Sequence, residues 1–346
     1  MPMTRLLVIK PSSLGDVIHA LPALALIRRR LGTQLTRVSW VVNESFANLL
    51  EMAPGIDRIV RFPRKRLWKR GVIRAFKHEL QEEEYDVAID FQGLLRSGMM
   101  SWFSHAPRRI GFADGRECSP WFYNESVRIP KGHAVERNLQ LADAAFPMVG
   151  DDIHAPCGPL LQVTAEQLAT ARVKLSVDGG SPVLAIGHSS RWNSKNWPAA
   201  FFARVMDILA DRRPDIQFWL LGAPEERPRA DEGRRACKTA RPLNLTGQSS
   251  MTELVALLAA STALFTNDSG PMHLAAALDV PTIALFGATN PSLTGPYGPP
   301  GKHTVFKSTC PKSPCFIHDC PLGAGKCSEG TAPEAVADAI LKAMKL

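Results

Sequence analysis

The chain reads as an α/β protein of two doubly wound, Rossmann-like lobes facing each other across a cleft, and three observations predict this. Apolar runs of strand length alternate with longer stretches of helical periodicity, the pattern of a mostly parallel sheet. The alternation occurs twice, on either side of a stretch rich in helix breakers, DDIHAPCGPLLQVTA at 151–165. In both halves a strand runs into a loop of small polar residues that opens a helix, which is where open α/β sheets bind ligands. A chain of 346 residues has room for two domains of ordinary size, expected at 1–160 and 161–346.

The first half opens with LLVIKPSSLGDVIHALPALALIRRRL, a strand over Leu6–Ile9, a turn and a helix. Gly15 lets the turn deliver Asp16 beyond the carboxyl end of the strand, where a carboxylate meets a substrate. The competing role for Asp16 is to cap its own helix. Strands are expected at 38–43, 57–62, 86–91 and 108–112.

The second half restarts with strands at 182–187, 216–222, 263–267 and 282–287, separated by helices such as WPAAFFARVMDILADRR and MTELVALLAAS, and the chain closes with an amphipathic helix, APEAVADAILKAMKL. Two of its turns suit a diphosphate. In GHSSRWNSKNWP, Ser189 and Ser190 offer hydroxyls and Lys195 a mobile positive charge ahead of a helix begun by Pro198. In NDSGPMH, Asp268, Ser269 and Gly270 lead into a helix N-terminus with its partial positive charge, and His273 lies on the first helical turn. For either serine alone, ordinary turn chemistry is the competing role. A third turn, LLGAPEER, places Glu225 after a strand, where an acid accepts from ribose hydroxyls or is simply solvated.

Composition narrows the function classes. Hydrophobic residues make up 45% and charged residues 21% of the chain, as in folded globular proteins. No apolar segment reaches the roughly 18 residues that span a bilayer. The start of the chain lacks a secretory signal, so a cytoplasmic location is expected. The net charge of +8 favours anionic partners. Much of it lies in RFPRKRLWKRGVIRAFKH, where Arg61, Arg64, Lys65, Arg66, Lys69, Arg70, Arg74 and Lys77 surround Trp68. So many like charges repel unless something anionic visits, either phosphates or an anionic membrane surface. No nucleic-acid motif accompanies the charge, so no nucleic-acid partner is expected. Cys310, Cys315, Cys320 and Cys327 cluster in CPKSPCFIHDCPLGAGKC and could enclose Zn or Fe, although the spacing lacks the tight CxxC knuckles of zinc modules. A reduced, proline-rich loop is the other outcome.

KPSSLGDVIHALPAL, FQGLLRSG at 91–98, GHAVERN at 132–138, LTGQSSMTELVALLA and NDSGPMHLAAAL, in this order over nearly the whole chain, resemble the ADP-heptose:lipopolysaccharide heptosyltransferases. GHAVERN looks particularly like heptosyltransferase I. The resemblance implies a GT-B architecture, with acceptor bound mainly by the first lobe and ADP-heptose by the second. It implies Asp16 as catalytic base, Ser189, Ser190 and Lys195 as holders of the donor diphosphate, and Asp268, Ser269, Gly270 and His273 as the second donor turn. It places Arg61, Arg64, Arg66, Gln92 and Arg96 near an anionic inner-core lipopolysaccharide acceptor at the inner face of the inner membrane, with no cofactor required for the chemistry. The cysteine-rich tail is more like heptosyltransferase II and protein-modifying relatives, which leaves the acceptor open between Kdo2-lipid A, its monoheptosylated form and a protein.

Overall fold

Strands that are buried on both faces read as continuous apolar runs rather than as alternating ones, and the two central strands of this protein do so: Leu6, Leu7, Val8 and Ile9 are fully buried, as are Leu184, Ala185 and Ile186. A computed structural model describes residues 3–155, 159–177, 180–323, 326–328 and 330–346 and divides into two units, Met1–Gln162 and Val163–Leu346.

The first unit holds β1 (Thr4–Ile9), β2 (Leu35–Asn43), β3 (Arg58–Phe62), β4 (Val87–Asp90), β5 (Arg108–Phe112) and β6 (Glu125–Val127). They form one parallel sheet in the order β3-β2-β1-β4-β5-β6. Its helices are α1 (Leu14–Leu31), α2 (Ala47–Leu50), α3 (Val72–Leu80), α4 (Leu95–Phe103) and α5 (Ala134–Ala145). The second unit repeats the plan with β7 (Val183–Gly187), β8 (Gln217–Leu220), β9 (Leu243–Asn244), β10 (Ala263–Asn267), β11 (Thr282–Phe286) and β12 (Thr304–Lys307), in the order β12-β11-β10-β7-β8-β9. Between and after them run α6 (Ala165–Leu175), α7 (Ala199–Arg212), α8 (Arg227–Ala236), α9 (Met251–Ala259), α10 (Gly270–Ala277), α11 (Pro291–Thr294) and α12 (Pro333–Met344).

Both orders are the doubly wound Rossmann order. In each the chain reverses direction across the sheet between the first and fourth strands, leaving a crevice at their carboxyl ends. The switch points are therefore β1/β4 and β7/β10.

Local signals agree with these elements. Capping boxes start α6, where Thr164 N–H donates to Gln167 and Gln167 N–H to Thr164 Oγ1 at 2.9 and 3.1 Å, and α9, where Ser250 and Glu253 exchange the same bonds at 2.7 and 3.3 Å. In the second unit Trp197, Phe202 and Phe265 anchor the core with ring centroids 4.7–5.9 Å apart. Three strands, β6, β9 and β12, were not expected. Each is short and lies at or beside a sheet edge, so its apolar content is low. Among the described residues no helix is long and apolar enough to cross a membrane.

Candidate active site

At the first switch point the turn between β1 and α1 is tied to the turn after β4. Ser12 N–H donates to Gln92 Oε1 at 3.2 Å, and Lys10 Nζ donates to the Phe91 carbonyl at 2.7 Å. Asp16 stands at the third position of α1 and its Oδ2 accepts from both the N–H and the hydroxyl of Ser13, at 2.8 and 2.7 Å. The capping role is thus real, and it fixes the carboxylate at the mouth of the switch point.

Lys10 was not singled out by its sequence context. It is 7% exposed. Burial pulls its ammonium below the usual lysine range, against the opposing pull of the Asp16 and Asp90 carboxylates. Asp90 itself is fully buried, accepts from Tyr123 Oη at 2.6 Å and from the Gln92 N–H at 2.7 Å, and is pushed upward by burial. The only sequence hint of Lys10 is its place at the end of an apolar strand.

The basic residues divide. Arg96 is half-buried on α4, close in sequence to Gln92. Arg61, Arg64 and Arg66 lie at the end of β3 and on the 3-10 turn that follows it. That strand is two removed from β1, roughly 10 Å across the sheet, so these arginines flank the switch point rather than enter it. Arg61 pairs with Glu51 at 2.7 Å and Arg66 pairs with Glu44.

At the second switch point the two expected turns meet. Lys195 Nζ lies 2.7 Å from Asp268 Oδ2, Ser190 Oγ donates to the Asp268 carbonyl at 3.0 Å, and Thr289 Oγ1 donates to Asp268 Oδ2 at 2.5 Å. Asn196 folds its own turn by accepting from the Ser190 N–H at 2.6 Å. Ser269 is the N-cap of α10 and its hydroxyl is 3.1 Å from Thr266 Oγ1. His273 is buried on the first turns of α10. Ser189 Oγ is buried and has no hydrogen-bond partner among the described residues, a polar atom left for a ligand to satisfy. A lysine, hydroxyls and a helix N-terminus thus converge on one crevice, groups whose chemistry suits an anion.

Glu225 is exposed on the 3-10 turn after β8, whereas Glu226 turns inward and accepts from Ala223 N–H at 2.8 Å. Burial pushes the Glu226 carboxyl upward. Trp192, Thr289 and His318 also escaped the sequence reading. The His318 ring stacks on Trp192 with centroids 3.8 Å apart, and Lys195 Nζ lies 4.5 Å from the Trp192 centroid.

His318 belongs to the cysteine-rich segment, which straps the turn after β7: Ser194 N–H donates to the His318 carbonyl and Ser194 Oγ to the Ile317 carbonyl, at 3.0 and 2.5 Å. The sequence left these cysteines two outcomes, a Zn or Fe site or a reduced loop. Cys310, Cys315, Cys320 and Cys327 are free thiols, and among the described residues no three His, Cys, Asp or Glu side chains gather so as to hold a metal ion. Cys327 is buried against the Gly287 backbone, and burial, with the charges of Cys320, Cys310 and Cys315, pushes its thiol upward.

Comparison with known proteins gives the family. Residues 73–325 match glycosyltransferase family 9 (heptosyltransferase). The chain is 36% identical over 334 residues to lipopolysaccharide heptosyltransferase 1 of Pseudomonas aeruginosa, covering 91% of this chain and 87% of that protein. It is 28% identical over 306 residues to lipopolysaccharide heptosyltransferase 2 of Escherichia coli K12, covering 84% and 85%. The solved structure of E. coli heptosyltransferase WaaC with ADP superposes with a TM-score of 0.77 at 27% identity, covering 98% of this chain and 99% of that one. The two parallel sheets are those of the GT-B heptosyltransferases, and the chain belongs to glycosyltransferase family 9, as a heptosyltransferase of lipopolysaccharide core synthesis.

Proposed function

We propose that the protein transfers L-glycero-D-manno-heptose from ADP-heptose to the Kdo residue of Kdo2-lipid A, with inversion at the anomeric carbon. The observation that carries this reading is the convergence of Lys195, Ser190 and Asp268 with the α10 N-terminus at the β7/β10 switch point, together with the 36% identity to a heptosyltransferase 1.

In this reading the second unit, 163–346, binds the donor. As the glycosidic bond breaks, negative charge grows on the β-phosphate of the departing ADP. Lys195, the Ser189 and Ser190 hydroxyls and the backbone N–H groups around Gly270 meet that charge more strongly in the transition state than in the ground state. His273 donates to a phosphoryl oxygen, and Glu225 of the β8 turn accepts from the ribose. Because protein groups meet the leaving charge, the chemistry asks for no cofactor.

The first unit, 3–162, binds the acceptor. Asp16 takes the proton from the attacking hydroxyl while Ser13 holds the carboxylate in position. Gln92, Arg96 and the flanking Arg61, Arg64 and Arg66 face an acceptor rich in phosphate and carboxylate. Such an acceptor is anchored in lipid, which sets the enzyme to work at the cytoplasmic face of the inner membrane.

A second reading, transfer to the monoheptosylated core, is favoured by the cysteine-rich segment and the 28% identity to a heptosyltransferase 2. Mass spectrometry of Kdo2-lipid A and its monoheptosylated form after incubation with ADP-heptose separates the two. A heptose increment on Kdo2-lipid A, lost in Asp16→Ala, is expected. An increment only on the monoheptosylated form would replace the first reading by the second.

A further inference from the structure

Seven tryptophans occur in the chain, and the three that are exposed, Trp68, Trp102 and Trp121 at 81%, 53% and 83%, all belong to one run of neighbouring elements in the first unit. Trp102 sits on α4 with Leu95 and Met99, also exposed. Their spacing of four and three residues lines them up along one helix face. The opposite side of α4, with Met100, packs into the core beside Phe76 and Leu80 of α3, so the outward stripe is surplus to folding.

The neighbours are close. A Cβ on Gly98 of α4 would meet the Ser119 carbonyl at 2.9 Å, which brings the 3-10 turn carrying Trp121 against the helix. On the other side Gln81 Nε2 donates to the Phe103 carbonyl at 2.9 Å and Lys77 Nζ lies 4.9 Å from the Phe103 ring. Ile73 on α3 is 56% exposed. Around these apolar groups stand Lys69, Arg70, Arg74 and Lys77, with Glu79 on α3 and Glu117, which accepts from the Leu95 N–H, as acids.

We propose that this face, made by the 64–71 turn, α3, α4 and the 119–122 turn, docks on an anionic phospholipid surface. Trp, Leu and Met side chains on a helix and on turn tips enter the headgroup boundary, while lysine and arginine stems lie along the apolar surface with their charges at the phosphates. Charge complementarity selects this occupant. A second copy of the chain would bring two strongly basic faces together, and a polyanion without an apolar layer leaves the Leu95–Met99–Trp102 stripe in water. The proposal is independent of which acceptor hydroxyl is used, because vesicle binding needs no turnover.

The test is co-sedimentation of the full chain with vesicles of phosphatidylethanolamine and phosphatidylglycerol, and with vesicles of phosphatidylcholine alone. Binding to the anionic vesicles only is expected, weakening as salt is raised. The double variant Met99→Gln, Trp102→Gln, whose side chains are exposed and outside the switch point, is expected to bind at least about tenfold more weakly while its turnover on a deacylated, water-soluble acceptor stays at the wild-type level. Circular dichroism confirms folding of the variant, and Trp121→Gln provides a second variant for the same loss. Wild-type protein that stays in the supernatant with anionic vesicles overturns the proposal. So does a double variant that binds as well as wild type, or a concentration-dependent dimer that the double variant abolishes.

Discussion

The Lys195 ammonium and the Asp268 carboxylate lie 2.7 Å apart with side chains only 15% and 6% exposed, and this pair joins the turns that follow β7 and β10. Removing one member of a buried pair leaves the other uncompensated, which costs more than the pair contributes net. Thr289 bonds the same carboxylate oxygen, so Asp268 holds Lys195 at a set position before any phosphate arrives.

Lys195→Ala is therefore expected to weaken ADP binding about tenfold to a hundredfold, the range for a lost hydrogen bond to a charged group. Asp268→Asn, which leaves the lysine its charge but loosens its positioning, should weaken ADP binding less than Lys195→Ala does and lower stability by about 3 kcal/mol. Calorimetric titration with ADP and urea unfolding read the two effects separately. Wild-type ADP affinity in Lys195→Ala would remove the lysine from the donor site.

Asp16 combines a cap with a proposed base, and the roles separate by measurement. Ser13→Ala strips one of the two bonds to Oδ2 and is expected to cost about 1 kcal/mol of stability. Asp16→Asn keeps the size of the side chain but cannot take a proton, so kcat should fall about 10²- to 10⁴-fold with ADP affinity intact. A variant that loses stability but keeps its turnover would reduce Asp16 to a cap.

The stacked pair Trp192 and His318 predicts that the cysteine-rich segment acts on the donor turn. His318→Ala removes the ring that backs Trp192 and should weaken ADP binding about three- to tenfold, the scale of one aromatic contact. His318→Phe should restore it, because a ring without titratable nitrogens stacks as well. Equal affinities in all three proteins would disconnect the segment from the site.

His188, buried just before the donor serines, is pulled down to about 4 by burial. A histidine depressed in the folded state stabilises the fold above its unfolded value, near 6.5, and that stability drains away as pH falls toward 4. The loss should reach about 2 kcal/mol by pH 5. Urea midpoints at pH 7 and pH 5 for wild type and His188→Gln test this: the variant should show the smaller pH dependence. Identical dependence in both would assign acid sensitivity to other groups.

Much of this was legible in the order of residues. The central strands, β1 and β7, stand out because a parallel sheet covered on both faces leaves no position for a polar side chain. The ligand turns stand out because a strand that ends in small, polar, glycine-containing text has nowhere to put its backbone except around a helix N-terminus. The edge strands β9 and β12 stayed hidden, since a strand paired on one side tolerates polar residues and is very short, four residues in β12 and two in β9.

Contacts that cross the chain were beyond reach. Nothing local to Thr289 says that it will bond Asp268, 21 residues earlier, and nothing local to His318 says that it will stack on Trp192. The cysteines illustrate the same divide. Their density in 310–327 is plain in the sequence, but their contacts are not: Cys327 is buried against Gly287 and the segment hydrogen-bonds to the turn after β7. Sequence alone thus determined the two-lobed α/β plan and the polar turns at the strand ends, because both follow from hydrophobic period and backbone freedom over a few neighbouring residues. Tertiary structure decided which side chains hold Lys195 and Asp16, which arginines flank the switch point and which tryptophans face outward, because those depend on where strands far apart in the chain are brought side by side.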